Sequence, residues 1–268
     1  MNPGIIIIGA LGRMGREIAQ IVLEENVSKL HGAIEPAGHP DIGKNYYSFL
    51  GKSSGDLSVT SSIEDCITEN SVCIDFSAPQ SLRVHLPVAA ENKVPMIIGT
   101  TGVSDDDKEY IASFSSQIPV LFSPNMSLGV NLLFFLTDLV AKRLKNDYDI
   151  EIIEAHHRFK KDSPSGTAKK LGEIAAEAIG SSYDECIVDG RKGIIDTDRP
   201  KTQIGMHAVR GGDIVGEHTV LFAGIGEHLE LKHQAHSRSN FARGAVTASK
   251  WIGQQSPGFY SMRDMLGF

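Results

Sequence analysis

The chain has 268 residues and a formal net charge of −7 at pH 7. The length fits one large domain or two, and the negative charge argues against a general nucleic-acid binder, which is normally basic. The three cysteines include no C-x-x-C pair, so we interpret them as buried free thiols of a reducing compartment. The longest apolar stretch, 128–141, is interrupted by Asn131 and Asp138, whereas a membrane span needs about 20 predominantly apolar residues. We therefore expect a cytoplasmic protein without a membrane partner.

The first half of the chain alternates short apolar runs with helix-like stretches. The runs lie at 5–8, 30–34, 72–76, 95–98 and 119–122, and the helix-like stretches at 13–25, 81–92 and 105–115. This alternation predicts an α/β fold with a doubly wound parallel sheet, because connections between parallel strands need helices. The runs are continuously apolar, which indicates that both faces of the sheet are buried.

The second half has a different pattern, which predicts an α+β domain with a mostly antiparallel sheet. Predicted strands occupy 149–157, 204–210, 214–222 and 227–234, predicted helices occupy 167–179 and 241–254, and a polar loop spans 181–203. Gly180 is placed to end the first of these helices. The Arg-Gly-Gly-Asp sequence at 210–213 predicts a hairpin between the second and third strands.

A long helix is predicted between the halves, from Ser127 to about residue 145. Its apolar residues form two stripes, 128–132–135–139 and 133–136–140–144. A helix that is apolar around so much of its circumference is expected to be buried, between two domains. We therefore place a first domain at 1–126 and 237–268, which the final helix rejoins, and a second domain at 127–236.

A glycine-rich turn, Gly9-Ala10-Leu11-Gly12-Arg13-Met14-Gly15, follows the first predicted strand and precedes the first predicted helix. In the G-x-G-x-x-G frame, Ala10 stands at the first glycine, with Gly12 and Gly15 at the second and third. Gly12 would let a pyrophosphate approach the backbone, and Gly15 would let the helix pack close to its strand. Proteins that bind FAD or S-adenosylmethionine share parts of this layout, so the turn alone does not name the ligand.

Polar residues at the carboxyl ends of other predicted strands extend this candidate site. Glu35 follows Gly15 by 20 residues and could accept hydrogen bonds from a ribose 2′-OH. The loops at 75–79, 99–102 and 123–126 also follow strands, where ligands of doubly wound sheets bind. Each loop taken singly is typical of an ordinary turn.

A basic, histidine-bearing segment lies between the predicted strand at 149–157 and the helix after it. From His156 to Lys170 there are five cations and one acid, a local charge of +4 in a chain of −7. Such a patch attracts an anionic substrate, and the helix start at Ser165-Gly166-Thr167 supplies amides for a carboxylate. A solvated role is the better interpretation for Lys161, Lys169 and Lys170, and a functional role for the set His156, Lys160, Gly166 and Thr167.

Five further histidines, His207, His218, His228, His233 and His236, make a metal site conceivable. Predicted strands account for them, and none has His-x-x-x-His spacing or a cysteine partner. We therefore interpret them as structural and expect no metal.

The run EAHHRFKKDSPSGTA from Glu154 to Ala168 resembles the signature of the 4-hydroxy-tetrahydrodipicolinate reductase (dihydrodipicolinate reductase) family. The resemblance covers essentially the whole chain, through GALGRMG, DFSAP, GTTG, SPNMSLGVN, HAVRGGDIVGEHTVLF and PGFYSMRDMLG. It implies NAD(P)H-dependent reduction of 4-hydroxy-tetrahydrodipicolinate to tetrahydrodipicolinate in diaminopimelate and lysine biosynthesis. It also implies a Rossmann-like cofactor domain and a substrate domain that assembles a homotetramer through its sheet.

The resemblance also implies roles for particular residues. His156 would be a proton donor or acceptor and Lys160 a proton donor, while His157, Gly166 and Thr167 would bind the carboxylates of a small dicarboxylate substrate. The implied cofactor-binding residues are Gly9, Ala10, Leu11, Gly12, Arg13, Met14, Glu35, Gly99, Thr100, Thr101, Ser123, Pro124, Asn125 and Met126.

The residue after Glu35 bears on the choice of cofactor. Family members that use NADPH well often carry a basic residue there, whereas this chain has Pro36. Pro36 cannot hold a 2′-phosphate and Glu35 would repel one, although Arg13 could partly compensate. We expect a preference for NADH, with NADPH possible. The alternatives left open are another two-domain NAD(P)-dependent dehydrogenase and a non-catalytic dinucleotide-binding sensor, with an S-adenosylmethionine enzyme less favoured.

Overall fold

The computed structural model describes residues 2–25, 28–145 and 147–268. The chain divides into two compact units, Met1–Leu128 with Ser239–Phe268, and Gly129–Arg238. The first unit is thus built from two segments that are far apart in the sequence.

A seven-stranded sheet forms the centre of the first unit in the part of the chain that is described. Its strands are β1 (Gly4–Ile8), β2 (Lys29–Ile34), β3 (Val59–Thr60), β4 (Ser71–Asp75), β5 (Met96–Ile98), β6 (Pro119–Phe122) and, near the end of the chain, β12 (Gly258–Tyr260). They lie in the order β12-β6-β5-β4-β1-β2-β3, and all neighbours are parallel. The carboxyl ends of the strands therefore share one edge, where ligands of such sheets bind.

Helices cover both faces of this sheet. They are α1 (Arg13–Glu25), α2 (Tyr46–Phe49), α3 (Pro79–Glu91), α4 (Asp105–Ser113), α8 (Ser239–Ile252) and α9 (Met262–Leu266). In β1, Ile5 and Ile7 pack in one core cluster with α1 and α8, whereas Ile6 and Ile8 pack in another with α3 and α4. The predicted doubly wound parallel sheet is confirmed, and burial on both faces explains the unbroken apolar run.

The second unit and the helix that leads into it contain a five-stranded sheet and three helices among the described residues. These are α5 (Leu128–Leu144), β7 (Asp149–His156), α6 (Gly166–Ile179), α7 (Tyr183–Cys186), β8 (Ile187–Asp189), β9 (Ile204–Arg210), β10 (Gly216–Ala223) and β11 (His228–Ala235). The strand order is β11-β10-β7-β9-β8. Helices α5 and α6 pack on one face, against Ile150, Ile152, Val220 and Phe222.

This second sheet is mixed, which corrects one part of the prediction. Strand β10 is antiparallel to β7 and β11, but β9 is parallel to β7 and β8. The expected hairpin between 204–210 and 214–222 is wrong, because β7 lies between β9 and β10. Helix α6 carries the chain back across the sheet before β8, and the segment 190–203 carries it back again before β9, so β8 and β9 both run parallel to β7. The loop predicted at 181–203 also contains α7 and β8.

Helix α5 is buried on one side only. Leu133 belongs to the core cluster of the second unit, whereas Leu132 and Leu139 in the other stripe are each 41% exposed. The expectation that both stripes are buried is therefore wrong for the stripe 128–132–135–139, since only one side of the helix faces the core. Among the described residues no helix has the length and apolar character needed to cross a membrane.

Candidate functional site

The glycine-rich turn lies between β1 and α1, at the carboxyl edge of the parallel sheet. The amides of Gly9 and Ala10 donate to Ile34 O at 2.9 and 3.2 Å and hold the turn against the end of β2. A Cβ on Gly15 would lie 2.3 Å from Gly9 O and 2.7 Å from Ala10 O, so only glycine allows this approach of helix and strand. The first amides of α1 have no acceptors within the helix and are available to an anion.

A buried tyrosine outside the predicted set supports the turn. The Tyr46 hydroxyl donates to Ala10 O at 2.8 Å and is inaccessible to solvent. Burial raises the pKa of Tyr46, which keeps this hydroxyl protonated as a donor. No local pattern marks Tyr46, because its role depends on α2 packing beneath a turn 36 residues earlier.

Glu35 is tied to the same turn. Its Oε1 accepts a hydrogen bond of 2.6 Å from the Leu11 amide, and the side chain is buried at the end of β2. Its other oxygen accepts no hydrogen bond from the described residues, so a ligand hydroxyl could donate to it. Pro36, the next residue in the chain, and Arg13 in the first turn of α1 are both exposed.

A cavity of about 280 Å³ opens at the same edge of the sheet. It brings together six of the predicted cofactor residues, Met14, Gly99, Thr100, Thr101, Pro124 and Met126. It is also lined by Phe76 and Ser77, from the loop at 75–79 that the sequence placed at the same ligand-binding edge, and by Phe241, which was not predicted. Ser123 and Asn125 shape the loop instead, because Ser123 Oγ donates to Asn125 O at 2.8 Å.

A fully buried carboxylate organises two of the loops around this cavity. Asp75, at the end of β4, accepts hydrogen bonds from Ser77 N at 2.9 Å, Ser77 Oγ at 2.6 Å and Thr100 Oγ1 at 3.0 Å. His85 Nδ1 lies 3.3 Å from its other oxygen. A Cβ on Gly99 would lie 2.2 Å from Phe76 Cζ, so glycine at 99 makes room for the aromatic ring.

These features together fit a dinucleotide. The turn and the first amides of α1 suit a pyrophosphate, Glu35 suits a ribose hydroxyl, and the adjoining cavity has an aromatic and apolar lining. The described residues contain no group of His, Cys, Asp or Glu side chains arranged to hold a metal ion.

In the second unit, the central residue of the basic segment is His156, the last residue of β7. Its Nδ1 lies 2.5 Å from Glu154 Oε2, and its ring packs edge-to-face on His218 with centroids 5.1 Å apart. A Cβ on Gly216 would lie 3.0 Å from His156 Nε2. The glycine therefore leaves space beside the ring nitrogen that does not bind Glu154.

Glu154 is a buried carboxylate with four donors. Oε2 accepts from His156 Nδ1 and from Arg210 Nη1 at 2.7 Å, and Oε1 accepts from Ser165 N at 2.9 Å and Arg210 Nη2 at 2.7 Å. Burial raises the pKa of this carboxyl, but the hydrogen bonds from Arg210, His156 and Ser165 lower it by more. Glu154 is therefore ionised at neutral pH.

The same contacts define the state of His156. Burial lowers the pKa of His156, and the charges of Lys160 and Arg210 lower it too; together these effects outweigh the Glu154 carboxylate, which raises it. His156 is therefore neutral at pH 7 in the absence of a ligand. Because Glu154 can only accept, the proton of the neutral ring is on Nδ1, and Nε2 is left as an acceptor.

Ser165 and His218 connect this pair to the start of α6. Ser165 is the N-cap of the helix, and its Oγ accepts from Ala168 N at 3.2 Å and lies 3.1 Å from His218 Nε2. His218 is 4% exposed, and burial lowers its pKa to about 4.

The remaining predicted residues lie on the same connection between β7 and α6. Lys160 Nζ forms an ion pair with Asp162 Oδ1 at 2.9 Å. The buried Nδ1 of His157 has no hydrogen-bond partner among the described residues. Gly166 and Thr167 form the first turn of α6, with open space around the Gly166 Cα. The segment therefore presents an ammonium, two imidazoles and a helix N-terminus.

Sequence reasoning assigned no role in the site to Glu154, Arg210 or His218, and for Ser165 it predicted only the backbone amide at the helix start. Glu154 could have been found, because residues i and i+2 of a strand share a face and His156 lies two positions later. Arg210 and His218 carry no such signal. They come from β9 and β10, which only the sheet topology places on either side of β7. The expected hairpin would have paired the strand of Arg210 with 214–222 and not with β7.

Comparison with known families covers almost the whole chain. Residues 4–126 match the family described as "Dihydrodipicolinate reductase, N-terminus", and residues 129–266 match "Dihydrodipicolinate reductase, C-terminus". The chain belongs to the dihydrodipicolinate reductase family. The family's members are NAD(P)H-dependent oxidoreductases with a dinucleotide-binding domain.

The sequence similarity to known relatives extends over almost the full length of both chains. The 4-hydroxy-tetrahydrodipicolinate reductase of Syntrophus aciditrophicus is 47% identical over 263 residues, with 98% of each chain covered. The enzyme of that name from Chromobacterium violaceum is 43% identical over 267 residues, covering 100% of this chain and 99% of its own. A dipicolinate-bound dihydrodipicolinate reductase structure from Paenisporosarcina sp. TG-14 has a TM-score of 0.78 at 24% identity, covering 99% and 100% of the chains, which supports the shared fold.

The buried His218 makes the stability of this reductase-family chain depend on pH. Between an ordinary pKa of 6.5 and its folded value of about 4, the unfolded chain binds a proton that the folded chain does not. The free energy of unfolding therefore falls as pH is lowered through this window, by about 3 kcal/mol in all. We expect His218→Gln to remove most of that dependence in urea unfolding measured between pH 7 and pH 4. The same slope in both proteins would contradict this assignment.

Proposed function

We propose that this chain reduces 4-hydroxy-tetrahydrodipicolinate to tetrahydrodipicolinate with NADH or NADPH, a step of diaminopimelate and lysine biosynthesis. The observation that carries the proposal is the arrangement around His156, in which a neutral imidazole lies close to Lys160 and the N-terminus of α6. The reaction adds one hydride and one proton and releases the 4-hydroxyl as water. A dianionic substrate matches the cationic segment.

The second unit, under this proposal, binds the substrate and handles the proton. Lys160, His157 and the amides of Gly166 and Thr167 bind the two carboxylates. The proton that completes the reduction comes from His156 Nε2 or from Lys160. A bound dianion raises the pKa of His156, so proton uptake accompanies substrate binding.

The first unit, under the same proposal, holds the dinucleotide, which supplies the hydride when bound. The glycine-rich turn and α1 would hold the pyrophosphate and Glu35 a ribose hydroxyl, while the loops at 99–101 and 123–126 would flank the nicotinamide end. Fixing the orientation of donor and acceptor is worth up to about 7–11 kcal/mol of the barrier in favourable cases.

Substitution of the two proposed proton-transfer residues tests the function. We expect His156→Gln and Lys160→Met to lower kcat by about 100-fold or more, because a positioned acid or base contributes about 10²–10⁴-fold. The measurement is the loss of NADH absorbance with freshly generated synthase product. Lys161→Met removes an exposed neighbouring charge and should keep the wild-type rate. Near-normal kcat in both site variants would exclude this site, and binding of NADH without turnover by the wild-type chain would favour a sensor.

We propose further that NADH is preferred over NADPH, because Glu35 would repel a 2′-phosphate and Pro36 offers it no donor. Steady-state kinetics should therefore give a higher kcat/KM with NADH. Pro36→Arg should raise kcat/KM for NADPH about tenfold, since a charged hydrogen bond to phosphate contributes about 1.5–3 kcal/mol. Pro40→Arg places the same charge four residues later in an exposed position and should have little effect. Equal use of both cofactors by the unmodified chain would contradict the preference.

We propose a homotetramer in a reducing compartment such as the cytoplasm. Helices α5 and α6 cover one face of the second sheet, while the other face presents Ile153 (36% exposed), Val209 (49%) and the half-buried Leu221. An apolar sheet face of this kind is typical of an association surface. The free cysteines are buried, in keeping with a reducing compartment.

The assembly is tested by sedimentation equilibrium. We expect a mass of four 29.0 kDa chains, and a smaller species for Ile153→Asp, because a carboxylate on the apolar face must be desolvated in the interface. Val84→Asp changes an exposed apolar residue of α3 and should leave the mass unchanged. A monomeric wild-type chain would overturn the proposal.

A further inference from the structure

We propose that Glu154, clamped by Arg210, is a positioning residue for both parts of the substrate site: the proton-transfer nitrogen of His156 and the first turn of α6. The inference rests on the function proposed above, in that it assigns His156 to proton transfer and α6 to carboxylate binding. Its structural claim, that Glu154 fixes which ring nitrogen of His156 carries the proton, can be measured without turnover.

The first argument is the completeness of the contacts that Glu154 makes. Each of its two oxygens accepts two hydrogen bonds, and the side chain has no exposed surface. A carboxylate has about four acceptor directions, and all four are used here. Because no direction remains for water or substrate, Glu154 acts through the groups that donate to it.

The second argument concerns His156. A carboxylate held by the Arg210 fork can only accept, so it fixes the ring proton on Nδ1 and the ring plane along the 2.5 Å hydrogen bond. His218 packs edge-to-face on the same ring and limits its rotation. Nε2 is left beside Gly216, where the absence of a side chain keeps it accessible. The working nitrogen is therefore selected by Glu154.

The third argument concerns α6 and the loop before it. Glu154 Oε1 accepts from the Ser165 amide, so the carboxylate fixes the N-cap of the helix that presents Gly166 and Thr167. Arg210 Nη2 also donates to Asp162 O at 2.7 Å, which holds the loop that carries Lys160. One arginine–carboxylate pair thus links the groups proposed to bind carboxylates to the group proposed to move a proton.

Glu154→Gln tests the pair with minimal change of shape. An amide has one acceptor oxygen where the carboxylate has two, so its NH₂ group faces one nitrogen of the Arg210 fork together with either His156 Nδ1 or Ser165 N. The backbone amide of Ser165 can only donate, whereas the imidazole can change tautomer. The amide oxygen therefore stays with Ser165 N and the second Arg210 nitrogen, and the NH₂ donates to His156 Nδ1, which moves the ring proton to Nε2. Nitrogen NMR of ¹⁵N-histidine-labelled protein reports this directly. We expect the Nδ1–H form in the wild type and the Nε2–H form in the variant, with His156→Gln identifying the signal.

Kinetics and binding give a second readout. His156 is faced by Glu154 on its own strand, Lys160 on the next loop, Arg210 on β9 and His218 on β10. Since Glu154 raises the pKa of His156, the variant lowers it, and the limb of the kcat–pH profile that His156 governs moves to lower pH. We expect kcat to fall about 100-fold, because the proton-transfer nitrogen of His156 is misplaced. We expect the Kd for pyridine-2,6-dicarboxylate, measured by calorimetry, to rise about tenfold, because the hydrogen bond that fixes the start of α6 is weakened.

Arg210 variants separate positioning from folding. Arg210→Lys keeps the charge but loses the two-pronged contact, so kcat should be intermediate, whereas Arg210→Met should approach the rate of Glu154→Gln. Glu173→Gln removes an exposed carboxylate of α6 that pairs with Lys170 and is the matched control. If Glu154→Gln is poorly folded, Arg210→Lys alone decides, through its kcat and its histidine signals.

The outcomes are distinct. An unchanged Nδ1–H signal in the folded Glu154→Gln protein, or wild-type kcat and pH profile in both Glu154→Gln and Arg210→Lys, overturns the positioning role. A changed histidine signal in a chain whose wild type shows neither turnover nor dicarboxylate binding supports the positioning of His156 while the proposed function fails. A lower unfolding midpoint with unchanged tautomer and pH profile assigns Glu154 a structural role only and also overturns the inference.

Discussion

The second unit depends on one buried carboxylate. Glu154 carries a full charge with no solvent contact, which costs several kcal/mol unless its oxygens are fully hydrogen-bonded. The fold meets that cost with a guanidinium fork from β9, an imidazole from its own strand and a helix-capping amide. These donors come from β9, from β7 and from the start of α6. The hydrogen bonds that stabilise the buried charge therefore also fix the relative positions of the residues in the candidate site.

The first unit also has a buried carboxyl group that accepts hydrogen bonds from loops at the edge of its sheet. Asp75 is buried at the carboxyl end of β4 and accepts from the loops that carry Ser77 and Thr100, much as Glu154 near the end of β7 accepts from the start of α6. In both units, loops that line a candidate site are held by hydrogen bonds to a carboxyl group that is buried near the end of a strand. Loops are otherwise mobile, and this anchoring gives them a defined geometry.

The cations of the basic segment and of Arg210 differ in the carboxylates with which they pair. The chain is acidic overall, so the cations after His156 create a local field suited to a dianion. Arg210 is paired with the buried Glu154 and is therefore not available to a ligand. Lys160 is paired with the exposed Asp162, and under the proposed function a substrate carboxylate replaces Asp162 in that ion pair. The lowered pKa of His156 follows from the same field and from burial, so a bound dianion would reverse part of it.

The sequence by itself determined everything that depends on local pattern. Apolar periodicity located the long helices and core strands within two residues, with α1 at its observed bounds, and the glycine turn and the segment from His156 to Thr167 marked both candidate sites. It missed short elements such as α2 and α7, which are too brief to show a period, and Tyr46, Arg210 and His218, which act across 36, 56 and 53 residues. Tertiary structure alone decided the order of the second sheet, where a locally good hairpin turn at 210–213 gave way to the parallel pairing of β9 with β7. Strand order depends on which buried faces pack together, and that packing brings Arg210 to Glu154.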